Sequence, residues 1–292
     1  MTDAAVSLPS EQRSFAATGA ALLTVTLWAS AFVGIRSAGH HLSPGALALG
    51  RLLVSSAALG TLVLVRREPL PARRDLLPIA LCGALWFGLY NVVLNEAERR
   101  VDAGTASMLV NTGPILIAIL AGVVLHEGFP RQLVSGCAVA FAGVVVIGAA
   151  TSHGVAPSWG AVLCLAAAAL YAGGVVLQKP VLARVSPLMV TWLACTTGTI
   201  VCLPFAGQLV HTHAPASAWG WVVYLGIAPS AIGFMAWGFA LSRTTAGRMA
   251  ATTYLVPPIA IVLGWLLLGE VPPGLAFAGG ALCLAGVALA RR

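Results

Sequence analysis

Long stretches without a charged residue recur along nearly the whole of this 292-residue chain, and only Arg51 interrupts the stretch at 44–65. A helix that spans a membrane needs roughly 20 predominantly apolar residues, each adding about 1.5 Å. Every stretch is long enough to supply one such helix. The pattern predicts ten transmembrane helices, at residues 14–35, 44–65, 76–97, 103–125, 131–150, 157–178, 187–207, 216–241, 248–269 and 273–290.

The composition excludes an ordinary soluble protein. Charged residues make up 9% of the chain and hydrophobic residues 59%, whereas a soluble domain carries about 25% charged residues to cover its water-facing surface. The stretches do not alternate between polar and apolar residues, which excludes a porin-type barrel. The chain is therefore predicted to be an all-α integral membrane protein in contact with the lipid bilayer.

The net charge of +7 could indicate a nucleic-acid partner, but the placement of the basic residues gives another reason for it. Most of the 16 Lys and Arg residues lie in the terminal segments and in every second loop between the predicted helices. Cytoplasmic loops carry such an excess. We therefore expect a multi-pass protein of the bacterial inner membrane, with both termini in the cytoplasm and no binding of nucleic acid.

The residues that usually hold metals or perform catalysis form no recognisable pattern. All six cysteines fall inside predicted helices, at no spacing typical of a metal site, and most histidines fall in loops. Cysteines at such positions usually act as small, buried apolar residues. The sequence also lacks the H-E-x-x-H and G-x-S-x-G motifs of hydrolases, which argues against a membrane enzyme. We expect no disulfide, no metal ion and no cofactor.

The second half of the chain repeats the first at an offset of 143 residues. Each half, 14–150 and 157–292, holds five predicted helices, and because five is odd the second half must enter the membrane in the opposite orientation. Inverted repeats of this kind are typical of transporters, whose substrate site lies near the membrane midplane between the halves. The matched positions include Ser43-Pro44 with Ser186-Pro187, Pro114 with Pro257, Glu127 with Glu270, and Gly136 and Gly143 with Gly279 and Gly286.

Two of these matched sets are predicted to be structural. Gly136 and Gly143 lie seven residues apart on one face of their predicted helix, and so do Gly279 and Gly286 on theirs. Small residues at such positions permit close helix packing. Glu127 and Glu270 end their helices, where a carboxylate opposes the helix dipole, so we expect each to have a compensating interaction.

Several of these motifs resemble those of a known family. They are Trp28-Ala-Ser-Ala-Phe, Ser43-Pro44 followed by Arg51, Pro114 and Leu125-His-Glu127, echoed by Ser186-Pro187, Pro257 and Leu267-Leu-Gly-Glu270. Each half resembles an EamA unit of the drug/metabolite transporter superfamily, which includes ten-helix amino-acid exporters of the YddG type. The resemblance implies that predicted helices 1, 3, 4, 6, 8 and 9 surround the pathway, while 2, 5, 7 and 10 pack outside.

Polar and aromatic side chains recur at the depth of the membrane midplane. A proline within a helix bares the carbonyl four residues before it, and in lipid such a carbonyl must face protein or a watery cavity. Packing kinks and buried, satisfied polar groups are the alternative interpretation. We expect a cavity lined by Trp28, Tyr90, Asn91, Asn111, Tyr171 and Tyr254, with helix kinks at Pro114, Pro229 and Pro257.

Arg51 is the one charged residue well inside a predicted helix. A charge at that depth is expensive and is usually paired. Glu96 and Glu98, at the end of the third predicted helix, are the expected partners. We expect this pair to clamp the structure or to act as an outer gate.

Together these features predict a transporter that exports amino acids or related small metabolites by alternating access. A drug or organic-cation exporter, a nucleotide-sugar or phosphate-ester exchanger, a membrane enzyme and an assembly subunit are the alternatives. No carboxylate or histidine lies at the predicted midplane as a proton relay, which favours a facilitator or exchanger. The ten-helix unit is expected to act as a monomer.

Overall fold

The computed structural model describes residues 10–100, 109–151, 159–268 and 273–292, and within these ranges the regular secondary structure is entirely helical. In the described residues six helices keep α-helical winding throughout: α1 (Ser10–Gly39), α2 (Pro44–Arg66), α4 (Gly113–Val124), α5 (Arg131–Thr151), α6 (Trp159–Val181) and α10 (Gly274–Ala290). The remaining helices change winding along their length: α3 (Arg73–Cys82, π turn Gly83–Leu89, Tyr90–Glu98), α7 (Pro187–Cys202, 3-10 turn Leu203–Phe205, Ala206–Val210), α8 (Ala216–Leu225, π turn Gly226–Ile232, Gly233–Leu241) and α9 (Ala246–Thr252, 3-10 turn Thr253–Leu255, Val256–Leu268).

Eight of these helices are long and apolar enough to cross a membrane. The other two, α4 and α10, are apolar but shorter, with 12 and 17 residues. The predicted start of the fourth helix at residue 103 and the predicted end of the ninth at 269 lie outside the described residues. The chain is therefore a multi-pass membrane protein built from helices, as its composition predicts.

The two Ser-Pro pairs mark the starts of α2 and α7. Ser43 and Ser186 are the N-cap residues, and their side chains accept hydrogen bonds from the backbone N–H groups of Ala46 and Met189. The proline that follows each serine occupies the first helical turn, where it costs no intrahelical hydrogen bond. These two helix starts are thus determined by local sequence.

The two π turns lie 143 residues apart, in α3 and α8. Each begins with a glycine that lies against another helix. A Cβ on Gly83 would come within 2.6 Å of the carbonyl oxygen of Ala194 in α7, and one on Gly226 within 2.6 Å of the Cβ of Val54 in α2. Neither contact has room for a larger residue.

Helices α5 and α10 pack against each other through the four predicted glycines. A Cβ on Gly143 would lie 2.5 Å from the carbonyl oxygen of Gly279, and one on Gly136 would lie 2.6 Å from that of Gly286. Small residues allow two helix backbones to approach this closely. The predicted packing role of these glycines is confirmed.

Glu127 follows α4, and its carboxylate lies at the start of α9. Its two oxygens accept hydrogen bonds from the backbone N–H groups of Ala246 (2.8 Å) and Gly247 (3.2 Å). A carboxylate is stabilised at a helix N-terminus by the unpaired N–H groups and by the helix dipole. This is the compensating interaction expected from the sequence. Its counterpart Glu270 lies outside the described residues.

Candidate substrate cavity

One cavity of about 110 Å³ lies inside the bundle. Helices α1, α3, α4, α6, α8 and α9 contribute to its wall, and α2 contributes Arg51. The family resemblance implies the first six helices but not α2. The lining residues are Trp28, Ala31, Phe32, Ile35, Arg51, Trp86, Tyr90, Asn91, Val110, Asn111, Pro114, Tyr171, Phe234, Thr253 and Val256.

An aromatic cluster, formed by Trp28, Trp86, Tyr171, Phe234 and Trp237, borders one end of this cavity. Trp28 stacks on Trp237 with ring centroids 5.1 Å apart and contacts Trp86 edge-on at 5.9 Å. Trp86 lies 5.1 Å from the ring of Tyr171 and 5.0 Å from that of Phe234. The rings therefore form one contiguous cluster, which extends from the cavity wall to Trp237 near the end of α8.

Beyond the aromatic cluster, two sets of polar contacts join α6 to α8 and to the turn that follows α8. The indole N–H of Trp237 donates to Oε1 of Gln178 (3.1 Å), which fixes the ring. The Lys179 ammonium donates to the carbonyl oxygens of Leu241 (2.7 Å) and Thr244 (2.5 Å), at the end of α8 and in the turn that follows. Together with Glu127 at the start of α9, these contacts hold the α8–α9 turn against α4 and α6.

Five of the six predicted cavity residues line the cavity: Trp28, Tyr90, Asn91, Asn111 and Tyr171, with Pro114 beside them. Tyr254 does not line it. Its ring is fully buried in a separate core between α9, α5 and α10, 6.5 Å from the ring of Phe141. Neighbouring residues in a helical segment project in different directions, so Thr253 and Val256 face the cavity instead.

The local backbone explains why the repeat misled the prediction for Tyr254. Its counterpart Asn111 lies in a turn that precedes α4, whereas Tyr254 lies inside a 3-10 turn. Pro257 is buried beside it and is absent from the cavity wall. Pro229 likewise lies outside the wall, in the π turn of α8, where its own carbonyl oxygen accepts a hydrogen bond from the Trp28 indole (3.3 Å).

Trp86, Phe234 and Trp237 were missed by the sequence reasoning. Trp86 lies deep in α3 and Trp237 is several residues from the end of α8, and both side chains are almost fully buried, at 2% and 0% exposure. A tryptophan far from a helix end cannot be an interfacial anchor. Depth along the helix, the criterion that selected Trp28, therefore also indicates Trp86.

The polar groups of the cavity differ in their hydrogen bonding. Asn91 donates from Nδ2 to the carbonyl oxygen of Phe87 (2.7 Å). The Tyr171 side chain is 6% exposed, and its hydroxyl has no hydrogen-bond partner within the described part of the structure. The neighbouring hydroxyl of Thr253 donates to the carbonyl oxygen of Ala250 (2.7 Å). A buried hydroxyl is costly to leave unpaired. The Tyr171 hydroxyl can therefore form a hydrogen bond with a polar group of a molecule bound in the cavity.

Glu96, one of the two predicted partners of Arg51, is paired with other residues in the structure. Glu96 forms ion pairs with Arg100 (2.7 Å) and Arg99 (3.6 Å), which follow it on the same helix end and reach it more easily. Arg51 instead donates from Nε (3.1 Å) and Nη2 (2.9 Å) to the hydroxyl of Ser230 in α8. The side chain of Glu98, the other predicted partner, lies outside the described part of the structure.

Comparison with known proteins matches two segments, 16–149 and 158–292, to the model of the EamA-like transporter family. A "Probable terminal-alkyne amino-acid exporter" of Streptantibioticus cattleyicolor is 42% identical over 94% of this chain and 92% of its own length. A "Probable amino-acid metabolite efflux pump" of Salmonella typhimurium is 29% identical over 91% and 92%. A solved crystal structure, 22% identical, superposes with a TM-score of 0.80 over 94% of this chain and 96% of that one. At this level of identity, the similarity to the solved structure shows a shared fold.

Proposed function

Because the chain belongs to the EamA-like transporter family, we propose that it exports amino acids or related small metabolites by alternating access. The two relatives whose names state such an activity cover nearly the whole chain, at 42% and 29% identity. The observation that carries the proposal is the cavity, which lies at mid-length of helices from both halves and holds aromatic rings beside polar groups. Transporter sites lie at such a place.

The architecture that we propose is ten transmembrane helices in two inverted five-helix repeats, 14–150 and 157–292. The shorter helices α4 and α10 would complete the ten. Three observations support the repeat: the π turns 143 residues apart, the matching serine caps of α2 and α7, and the reciprocal glycine contacts of α5 with α10. Two halves with the same packing pattern can each adopt the conformation of the other. Such an exchange would open the cavity to one side of the membrane and close it to the other.

The orientation that we propose places both termini in the cytoplasm of a bacterium, because the basic residues concentrate in the corresponding loops. In this orientation the aromatic cluster and the Lys179 and Glu127 contacts lie on the cytoplasmic side of the cavity. The described conformation would then be closed toward the cytoplasm, and the substrate would leave on the outer side.

The experiment that tests the function is uptake into everted membrane vesicles, whose cytoplasmic face points outward, or uptake into proteoliposomes that contain the purified protein. The panel should hold labelled amino acids, including one with a terminal alkyne, together with organic cations, a nucleotide sugar and a phosphate ester. We expect saturable transport of amino acids above protein-free vesicles. Transport of only the cations or only the phosphorylated compounds would replace the proposal by the corresponding alternative, and no transport of any compound would contradict it.

A further inference from the structure

We infer that the aromatic cluster limits the size of the substrate, so that amino acids with short apolar side chains are accepted and those with an aromatic ring are excluded. The limit is set by the four rings of the cluster that line the cavity, those of Trp28, Trp86, Tyr171 and Phe234. Glycines against which three of these rings pack help to fix their positions. The inference rests on the proposed function and narrows its substrate class.

The volume of the cavity is the first argument. It is about 110 Å³, whereas an engineered protein cavity of about 150 Å³ takes up benzene. The cavity is thus smaller than one that holds a single aromatic ring. An aromatic amino acid carries such a ring and a backbone in addition, so it would have to displace the cavity wall.

The ring of Tyr171 is held in place by contacts on several sides. It packs against Gly113 in α4, where a Cβ would lie 2.8 Å from Cδ1 and 3.2 Å from Cε1 of the ring. The rings of Trp86 and Trp237 lie 5.1 Å and 6.3 Å from it. Tyr171 is therefore fixed between the backbone of α4 and two indole rings.

The two tryptophans of the wall also pack against glycines. A Cβ on Gly174 in α6 would lie 2.5 Å from the Cβ of Trp86, and one on Gly233 in α8 would lie 3.2 Å from Nε1 of Trp28. The Trp28 indole also donates to the carbonyl oxygen of Pro229 (3.3 Å). Because close-packed interiors are hardly compressible, an incoming ring cannot easily push these indoles aside.

Phe234 fills the space between the two tryptophans. Its ring lies 5.1 Å from that of Trp28, 5.0 Å from that of Trp86 and 4.3 Å from that of Phe87. The side chain is buried and forms part of the cavity wall. A shorter side chain at this position would therefore add volume to the cavity.

The chemistry of the wall narrows the substrate class further. Most of the lining residues are apolar or aromatic. A charged side chain would lose its water against such a surface without full compensation, whereas an apolar side chain gains by contact with it. The wall therefore favours an amino acid whose side chain is both apolar and short.

The test measures the transport of labelled L-alanine, L-norvaline and L-phenylalanine by proteoliposomes that contain the purified wild-type protein. The three probes share one backbone and carry increasingly large apolar side chains. We expect the KM for phenylalanine to exceed that for norvaline by about tenfold or more, because even one excess methylene can cost that much in a closely fitting pocket. This comparison needs no variant, so it does not depend on how well a variant folds.

Two variants should move the size limit in opposite directions. Phe234→Leu enlarges the cavity and should lower the KM for phenylalanine by about tenfold or more, while changing that for alanine by less than about threefold. Gly113→Ala displaces the Tyr171 ring, and the free volume beside that ring is the cavity. It should therefore raise the KM for norvaline more than that for alanine. A variant that only weakened the fold would affect all three substrates alike.

Each variant has a matched control. Gly173→Ala adds a Cβ that would lie 3.6 Å from Cδ1 of Leu85, an ordinary contact. Phe141→Leu shortens a phenylalanine that packs in the separate core of Tyr254. Both controls should transport the three amino acids with the wild-type ratios of KM.

The outcomes separate this inference from the proposed function. If the wild-type protein transports phenylalanine with a KM as low as that for norvaline, the size limit is overturned and the proposed function stands. The same holds if Phe234→Leu and Gly113→Ala leave the ratios of KM unchanged. If the wild-type protein transports no amino acid at all, both are overturned.

Discussion

Gly143 in α5 and Gly279 in α10 face each other so closely that each leaves no room for a Cβ on the other. A Cβ on Gly143 would lie 2.5 Å from the carbonyl oxygen of Gly279, and one on Gly279 would lie 2.7 Å from that of Gly143. Because the colliding atoms belong to the backbone, neither helix can relieve the clash by moving a side chain. The separation of the two helices is therefore set by these residues.

The first prediction follows from this contact. Gly143→Ala or Gly279→Ala should force α5 and α10 apart and destabilise the protein by about 1–3 kcal/mol, as overpacking does in other interiors. The measurement is thermal unfolding of the purified protein in detergent, with folded yield as a second readout. Gly19→Ala is the matched control, because a Cβ there would meet nothing within 4 Å. Equal melting temperatures for all three variants would contradict the prediction.

The second prediction concerns the hydroxyl of Tyr171. Because this group has no described hydrogen-bond partner, Tyr171→Phe should leave thermal stability unchanged or raise it slightly, while reducing transport severalfold. Tyr224→Phe is the contrasting control. The Tyr224 hydroxyl lies 2.6 Å from that of Ser30, so its removal should cost about 0.5–1.5 kcal/mol of stability. If Tyr171→Phe instead lost stability and kept full transport, the hydroxyl would stabilise the fold and have no role in transport, which would contradict the prediction.

The third prediction concerns Glu127, which joins the end of α4 to the start of α9. Glu127→Ala removes a carboxylate from two backbone N–H groups, and loss of a capping side chain typically costs about 0.5–2 kcal/mol. We expect a lower melting temperature and faster labelling of a cysteine introduced at Ser242, in the adjoining turn. Glu96→Gln breaks an ion pair that is partly exposed and should cost less than about 1 kcal/mol. A smaller effect for Glu127→Ala than for Glu96→Gln would be inconsistent with the capping role.

The fourth prediction tests the orientation of the chain. The six native cysteines are all buried, so a membrane-impermeant thiol reagent should label introduced cysteines on a low background. Applied to intact cells, it should label His213→Cys but not Leu70→Cys, whose native side chain is 80% exposed. Permeabilised cells should show labelling at both positions. The opposite pattern in intact cells would show that the termini lie outside.

Much of the helical organisation could be predicted because it depends on local chemistry. Uncharged stretches place the spans, and the Ser43-Pro44 and Ser186-Pro187 pairs mark two helix starts to the residue. The glycines of α5 and α10 were found because their spacing is itself the packing signal. The π turns were not predicted, since Gly83 and Gly226 look like any glycine in an apolar helix until the neighbouring helix is known.

The cavity was predicted less well, because its wall depends on which side of each helix faces inward. Depth along a helix can be counted from the sequence, and it correctly placed Trp28 and Tyr171. Direction around the helix changes with local winding, and the 3-10 turn at Tyr254 turned that residue away. The hydrogen bonds of Arg51 to Ser230 were not predicted, because a residue so distant in sequence cannot be recognised as a partner from a single chain.

The reciprocal contact of α5 with α10 has the form of an interface in a twofold symmetric dimer. Gly136 meets Gly286 and Gly143 meets Gly279, so positions 143 residues apart exchange roles across the contact. In such an interface the same patch serves both sides. A bulky substitution at any of the four sites meets backbone atoms of the other half and pushes the same two helices apart, so a second such substitution across the contact should cost less than the first. Mutations in the two halves are therefore not independent at these positions, although the sites are far apart in the sequence.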